Sequence, residues 1–116
     1  MYSSAIYKTS KTSLEHAAIH KLDIICKKIN LKKTDHIIEI GTGWGGFAIY
    51  AAKNYGCKVT TTTISVEQYK FAKYRIKKAG LSSQIKVLLK DYRFLKGQYD
   101  KLVSIEMIEA VGYQFY

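Results

Sequence analysis

Proline is missing from this 116-residue sequence altogether, and cysteine occurs only twice. Cys26 and Cys57 fall on different predicted elements and form no CxxC pair, so neither a zinc site nor a dithiol redox motif is offered. Two unpaired thiols fit a reducing cytoplasm. His16 and His20 stand four apart on a predicted helix without a third ligand, and read as a solvated face rather than a metal site. No apolar run is long enough to span a bilayer, and the opening MYSSAIYK lacks an apolar signal core, so any membrane contact is expected to be peripheral. Acidic residues are scarce too. Nine Asp and Glu face nineteen Lys and Arg, a net charge of +10. Such a surplus favours nucleic acid or the face of an anionic membrane, and a basic soluble domain with neither satisfies it as well. Linkers, internal repeats and low-complexity segments are absent. The lack of proline and the ten tyrosines carry no functional reading.

What is present suits one small globular domain: 47% hydrophobic and 24% charged residues. Thr12-Ser13-Leu14-Glu15 reads as a capping box opening an amphipathic helix over 13–29, with Leu14, Ala18, Leu22, Ile25 and Ile29 at helical spacing. Strands are predicted at 36–40, 58–64, 85–89 and 101–105. A helix from about Gly46 to Tyr55 is closed by Gly56 as a left-handed C-cap. Ser65-Val66-Glu67-Gln68 is a second capping box. The helix it opens runs to Ala79, with Val66, Tyr69, Ala72 and Ile76 inward and Lys70, Lys73 and Lys77 on the wet side. A last helix is expected from about Met107. Alternating strands and helices imply a parallel sheet with right-handed crossovers: an α/β, Rossmann-like fold.

The sequence is organised around Glu39-Ile40-Gly41-Thr42-Gly43-Trp44-Gly45-Gly46, a glycine turn between a β-branched strand and a helix. That context makes a glycine motif credible. Gly41 and Gly43 let bare backbone approach a ligand, and the next helix presents its amides and positive dipole end. The spacing fits both a dinucleotide fingerprint and an S-adenosylmethionine turn. Glu39 would repel a pyrophosphate but can attract the ammonium of a methionine moiety, directly or through water. A dinucleotide site also wants an acid about 20 residues on, for the ribose, and VTTTTIS (59–65) contains none. S-adenosylmethionine is therefore the expected cofactor, with Glu39, Gly41, Thr42 and Gly43 at its turn. Asp91 and Tyr92 follow the third strand, at the carboxyl edge where open parallel sheets bind ligands.

EIGTGWGGFAIYAA, VTTTTISVEQ, DYR and SIEMIEAVG together resemble the cyclopropane-fatty-acyl-phospholipid synthase family of methyltransferases, from Tyr2 to the last residue and in the family's order. The resemblance implies a class I methyltransferase fold of which this chain is the first part, with about four parallel strands and helices mainly on one face. It implies that Thr63 and Gln68 supply hydroxyl and amide contacts in place of the missing acid. It sets Asp91 and Tyr92 along the adenine, with Arg93 beside Asp91, and brings Trp44, otherwise a rim residue, near the cofactor. Tyr2 and Ser3 resemble a pair that folds over the methionine end, although Ser4 departs from the cysteine often found next. Glu109 matches the catalytic glutamate that helps hold a bicarbonate ion, whereas Glu106 has a structural reading.

The implied reaction is attack of a cis alkene of a phospholipid acyl chain on the sulfonium methyl carbon. Loss of a methyl proton to a base then closes a cyclopropane, and a carboxylate can orient bicarbonate for that task. The implied partner is unsaturated phospholipid at an anionic membrane surface. Nucleic acid is not expected, and the implied location is cytoplasmic, peripheral to the inner face of the membrane. Two rivals are a methyltransferase of small molecules or RNA, and a non-catalytic remnant. The isolated chain is expected to be poorly stable and inactive, because one sheet face keeps only a helical stub and the fourth strand is left as an edge.

Overall fold

The computed structural model describes residues 11–104 and 109–111, with side chains described from His16 to Ser104. Its first helix, α1 (Lys11–Lys28), begins before Thr12, so the helix starts ahead of the predicted capping box. Asn30 ends it in the left-handed conformation at φ 54°, and Leu31 N–H donates back to the Cys26 carbonyl at 3.0 Å. β1 (His36–Ile40), α2 (Gly46–Tyr55), β2 (Lys58–Thr63), α3 (Val66–Lys78), β3 (Ile85–Leu89) and β4 (Lys101–Ser104) follow in the expected alternation. The C-cap of α2 and the hydroxyl cap of α3 are local and behave as the sequence says. Gly56 closes α2 at φ 72°, and the Ser65 hydroxyl accepts from Gln68 N–H at the start of α3.

The strand order is β3-β2-β1-β4-β5, with the first four strands parallel. A fifth strand, β5 (Glu109–Val111), corrects the sequence reading. It pairs antiparallel with β4, Ser104 opposite Glu109, where a helix from about Met107 was expected. Met107 itself lies outside the described residues. The correction has a physical cause: β4 offers a row of unpaired backbone groups, and an antiparallel return meets that demand, which no local helical signal reveals. β4 is consequently not the open edge the sequence suggested.

Alternation along the strands divides the sheet. Ile37, Val59, Ile85, Val87 and Val103 fall on one face, where they pack with Cys26 and Ile29 from the end of α1, Phe47, Ala48 and Ala51 of α2, and Ile76 of α3. The three described helices therefore share a side: α2 and α3 as right-handed crossovers in a single direction require, and α1 because Cys26 and Ile29 at its end join the same cluster. On the second face only a short 3₁₀ turn, Tyr92–Phe94, interrupts the link from β3 to β4. That face is nonetheless not uniformly wet. Ile38 is fully buried between its register partners Thr60 and Leu102, and the Tyr99 ring packs edge-on against His36 at 4.8 Å.

Candidate functional site

At the end of β1 the chain makes three left-handed turns, Gly41 at φ 88°, Gly43 at φ 56° and Gly45 at φ 93°. Gly45 also sits against α3: a Cβ there would lie 3.4 Å from the Ala72 methyl. Gly43 differs, since a Cβ built on it meets nothing within 4 Å. The turn is pinned to β2, because the amides of Gly41 and Thr42 both donate to the Thr62 carbonyl at 2.9 Å. Those two donors are thus committed within the protein.

Beside the turn lies a cleft of about 340 Å³ at the carboxyl edge of β1, β2 and β3. Ile40 and Gly41 form one wall, the exit of β2 from Thr62 to Ser65 with Gln68 forms the floor, and Lys90, Asp91 and Tyr92 close it. A more voluminous hollow of about 940 Å³ surrounds Lys33, His36 and Gly56 at the amino edge. Open parallel sheets bind ligands at the carboxyl edge, so the smaller cleft is the candidate.

Five residues expected from the sequence line it together: Gly41, Thr63, Gln68, Asp91 and Tyr92. Thr63 and Gln68 are joined, with the Thr63 hydroxyl donating to Gln68 Oε1 at 3.0 Å and accepting from Ser65 N–H at 3.0 Å. The second capping box is therefore only half formed. Gln68 turns to Thr63 instead of reaching back to Ser65, which leaves its NH₂ group for a ligand in the cleft it lines. Asp91 accepts from the Arg93 guanidinium through both oxygens, at 2.7 to 3.2 Å, and from Arg93 N–H at 2.9 Å. The Arg93 contacts hold the Asp91 carboxyl below its ordinary range, so the cleft keeps a fixed negative acceptor.

Glu39 stands near the end of β1, just before the turn. It is buried beneath the turn and does not line the cleft, because strand alternation sets it on the helix-covered face with Ile37. Thr61 donates its hydroxyl to Glu39 Oε1 at 2.8 Å and lies 2.9 Å from the Thr42 hydroxyl. Burial pushes the Glu39 carboxyl up to about 8, and the Thr61 hydrogen bond opposes this only in part. Thr42 is likewise buried, as the link between carboxyl and turn. Trp44 is on the rim, half-exposed, edge-on to Phe71 at 5.5 Å.

Tyr2 and Ser3 lie outside the described residues. Glu109 is described only through its backbone in β5, level with Ser104 and, across β4, with Ile40. That register sets Glu109 at the same sheet edge as the cleft, two strand spacings or roughly 10 Å from Ile40. The sequence reading missed Ile40, Thr62, Ile64, Ser65 and Lys90 as cleft residues. An apolar Ile64 between the threonine run of β2 and the Ser65 cap was the available signal. Among the described residues no cluster of His, Cys, Asp and Glu could hold a metal ion, and no helix is long and apolar enough to cross a membrane.

The donor set fits S-adenosylmethionine: a glycine turn open at Gly43, a fixed acceptor in Asp91, amide and hydroxyl groups at Gln68 and Thr63, and a buried acid behind the turn. Comparison with known proteins agrees. The chain is 45% identical over 111 residues to the cyclopropane-fatty-acyl-phospholipid synthase of Escherichia coli K12, covering 96% of this chain and 28% of that one. It is 39% identical over 114 residues to a probable fatty acid methyltransferase of Pseudomonas putida, covering 97% and 29%. It is 36% identical to a sphingolipid C9-methyltransferase of Candida albicans, covering 97% and 24%. The chain thus spans less than a third of these relatives. The fold matches the mycolic acid cyclopropane synthase CmaA1 complexed with SAH and CTAB, with a TM-score of 0.73 and 25% identity over 78% of this chain and 32% of that one. The family model for mycolic acid cyclopropane synthetase matches residues 1–116, and the chain belongs to that family of S-adenosylmethionine-dependent lipid methyltransferases.

Proposed function

We propose that this chain is the cofactor-binding part of an enzyme that adds a methylene group across cis double bonds of phospholipid acyl chains. The observation that carries the reading is the Thr63–Gln68 pair in the cleft beside the glycine turn. It offers neutral hydroxyl and amide groups where a dinucleotide site would need an acid. When bound, S-adenosylmethionine supplies an electrophilic methyl carbon. Gln68 and Thr63 then bind the ribose, Asp91 accepts from the adenine amine, and Ile64 and Tyr92 give the base apolar walls. Gly41 and Gly43 admit the methionine portion, with Glu39 and Thr42 fixing the turn and Tyr2 and Ser3 closing over it. Glu109 holds bicarbonate, which takes the proton released as the ring closes. The protein works at the cytoplasmic face of the membrane, where unsaturated phospholipid is its partner.

Gly43→Val tests the cofactor site. The left-handed conformation costs a non-glycine residue about 1–2 kcal/mol, and a β-branched side chain fits it worst. No protein atom blocks the new Cβ, so it intrudes on ligand space. Binding of S-adenosylhomocysteine, measured by calorimetry, should weaken about tenfold or more, equivalent to about 1.4 kcal/mol. Tight binding of NAD with none of S-adenosylhomocysteine would overturn the cofactor assignment.

Glu109→Gln separates chemistry from binding. In the complete enzyme it should leave S-adenosylhomocysteine affinity unchanged while lowering turnover on unsaturated phospholipid vesicles by roughly 100-fold, the usual scale for a general-base function. Unchanged turnover removes Glu109 from the site. Proton NMR of the product distinguishes a ring methylene from a methyl branch. A branch would favour the chemistry named for the fatty acid and sphingolipid methyltransferase relatives.

A further inference from the structure

The outward side of α3 carries more than lysines. Phe71 and Tyr74 are 46% and 58% exposed, and Trp44, reaching over from the glycine turn, is 52% exposed. At 100° per residue, Glu67, Phe71, Tyr74 and Lys78 form the stripe opposite the buried Ala72 and Ile76. Arg75 borders that stripe on the Trp44 side, and Lys70 and Lys77 border it on the other. Arg75 ties the two halves together: its guanidinium donates to the Trp44 carbonyl at 2.7 Å and lies 6.0 Å from the Phe71 ring centre. Lys78 stands 5.9 Å from the Tyr74 ring centre. Glu67 is the single acid of this helix, against Lys70, Lys73, Arg75, Lys77 and Lys78.

We infer that this Trp44–Phe71–Tyr74 face docks the protein on an anionic phospholipid bilayer. The inference rests on the lipid-modifying function proposed above and assigns it a surface. Aromatic rings interleaved with lysine and arginine suit the headgroup layer, where rings enter the interface and basic heads meet lipid phosphates. Single-stranded RNA would demand open ring faces for base stacking. Here the Phe71 ring packs T-shaped with Trp44 and carries Arg75 over it, and the Tyr74 ring carries Lys78. The charge balance excludes a basic partner. The face also adjoins the cleft, since Trp44 belongs to the glycine turn and Gln68 to the first turn of α3, so docking sets the cofactor site at the lipid surface.

Trp44 is the one tryptophan of the chain, and its fluorescence reports directly on the face. Titration with vesicles of mixed phosphatidylglycerol and phosphatidylcholine should shift its emission to the blue, and phosphatidylcholine alone should not. Lys70→Glu/Lys77→Glu/Lys78→Glu alters only exposed side chains and should weaken vesicle binding on the order of 100-fold or more, since each basic residue near an anionic surface contributes roughly fivefold. Phe71→Ser/Tyr74→Ser should reduce binding as well while leaving S-adenosylhomocysteine affinity intact. Vesicle binding without a Trp44 shift, or undiminished in the lysine variant, overturns this docking face but leaves the lipid substrate standing. A blue shift that grows with protein concentration in the absence of vesicles assigns the face to a second copy and overturns the proposal, as does a shift produced by RNA alone. Absence of cyclopropane product in the complete enzyme, with Trp44 docking retained, would instead remove the substrate reading.

Discussion

Glu39→Gln should leave the ligand-free chain more stable than the native one at pH 8, and should remove most of the native chain's loss of stability between pH 4.5 and 8. Burial raises the Glu39 carboxyl from 4.5 to about 8. Across that window the folded state keeps a proton that the unfolded state has already released. Stability therefore falls as pH rises, by up to about 1.4 kcal/mol per pH unit, and levels off above the folded value. Over 3.5 units, from 4.5 to 8, the total is on the order of 5 kcal/mol. Glutamine keeps the acceptor for the Thr61 hydroxyl, which sits 2.8 Å from Glu39 Oε1, and has no charge to desolvate. Urea midpoints measured at unit pH steps from 5 to 8 decide the point. Native and variant curves running parallel would mean that Glu39 ionises in the fold as easily as in the unfolded chain. An acid that works against its own fold is better explained by a ligand than by packing, and here it stands behind the turn expected to receive a cationic methionine moiety.

Much of this arrangement was legible because its causes are local. β-branched runs marked the parallel strands, and Gly56, Ser65 and the glycine turn marked helix ends through backbone conformation and a single hydroxyl. The cleft followed from topology, since three parallel strands deliver Gly41, Thr63 and Asp91 to one edge whatever the side-chain details. Errors arose where a distant partner decides. β5 forms because β4 needs pairing, and nothing between Glu109 and Val111 announces that need. Gln68 completes a capping box on paper, yet Thr63, five residues earlier, captures its side chain. Two-residue alternation from Ile37 sets Glu39 on the helix-covered face behind the turn, a detail the glycine motif alone does not give. On α3 the inward stripe was correct at Ala72 and Ile76, but reading the opposite side as lysines alone passed over Phe71 and Tyr74.

Lys101→Met should cost about 3–5 kcal/mol, the range for stranding one partner of a buried ion pair. The Lys101 and Asp35 side chains are only 12% and 10% exposed, and the ammonium donates to Asp35 Oδ2 at 2.7 Å. The same ammonium donates to the Asn30 carbonyl at 2.9 Å, and Asp35 Oδ2 also accepts from Lys32 N–H at 2.8 Å. One contact thus joins the end of α1, the approach to β1 and the first residue of β4. Methionine matches the length of the stem but leaves the Asp35 carboxylate without its counter-ion in a nearly dry setting. Lys101→Met/Asp35→Asn should recover more than half of the loss, because the asparagine carbonyl still serves Lys32 N–H and no charge remains. The control is Lys27, whose ion pair with Asp23 is 3.0 Å long but whose side chain is 74% exposed. Lys27→Met should cost less than about 1 kcal/mol, as exposed pairs do. Equal costs for Lys101→Met and Lys27→Met in chemical denaturation would show that burial does not govern the pair. The consequence reaches the site through register. Lys101 lies opposite Ile37 and Ser104 opposite Ile40, so the ion pair that locks the start of β4 also sets the level at which its far end meets β5. Loosening it should therefore lower turnover in the complete enzyme, through Glu109, more than it lowers affinity for S-adenosylhomocysteine, whose proposed contacts Gly41, Gly43, Thr63, Gln68 and Asp91 lie at the ends of β1, β2 and β3 and on α3.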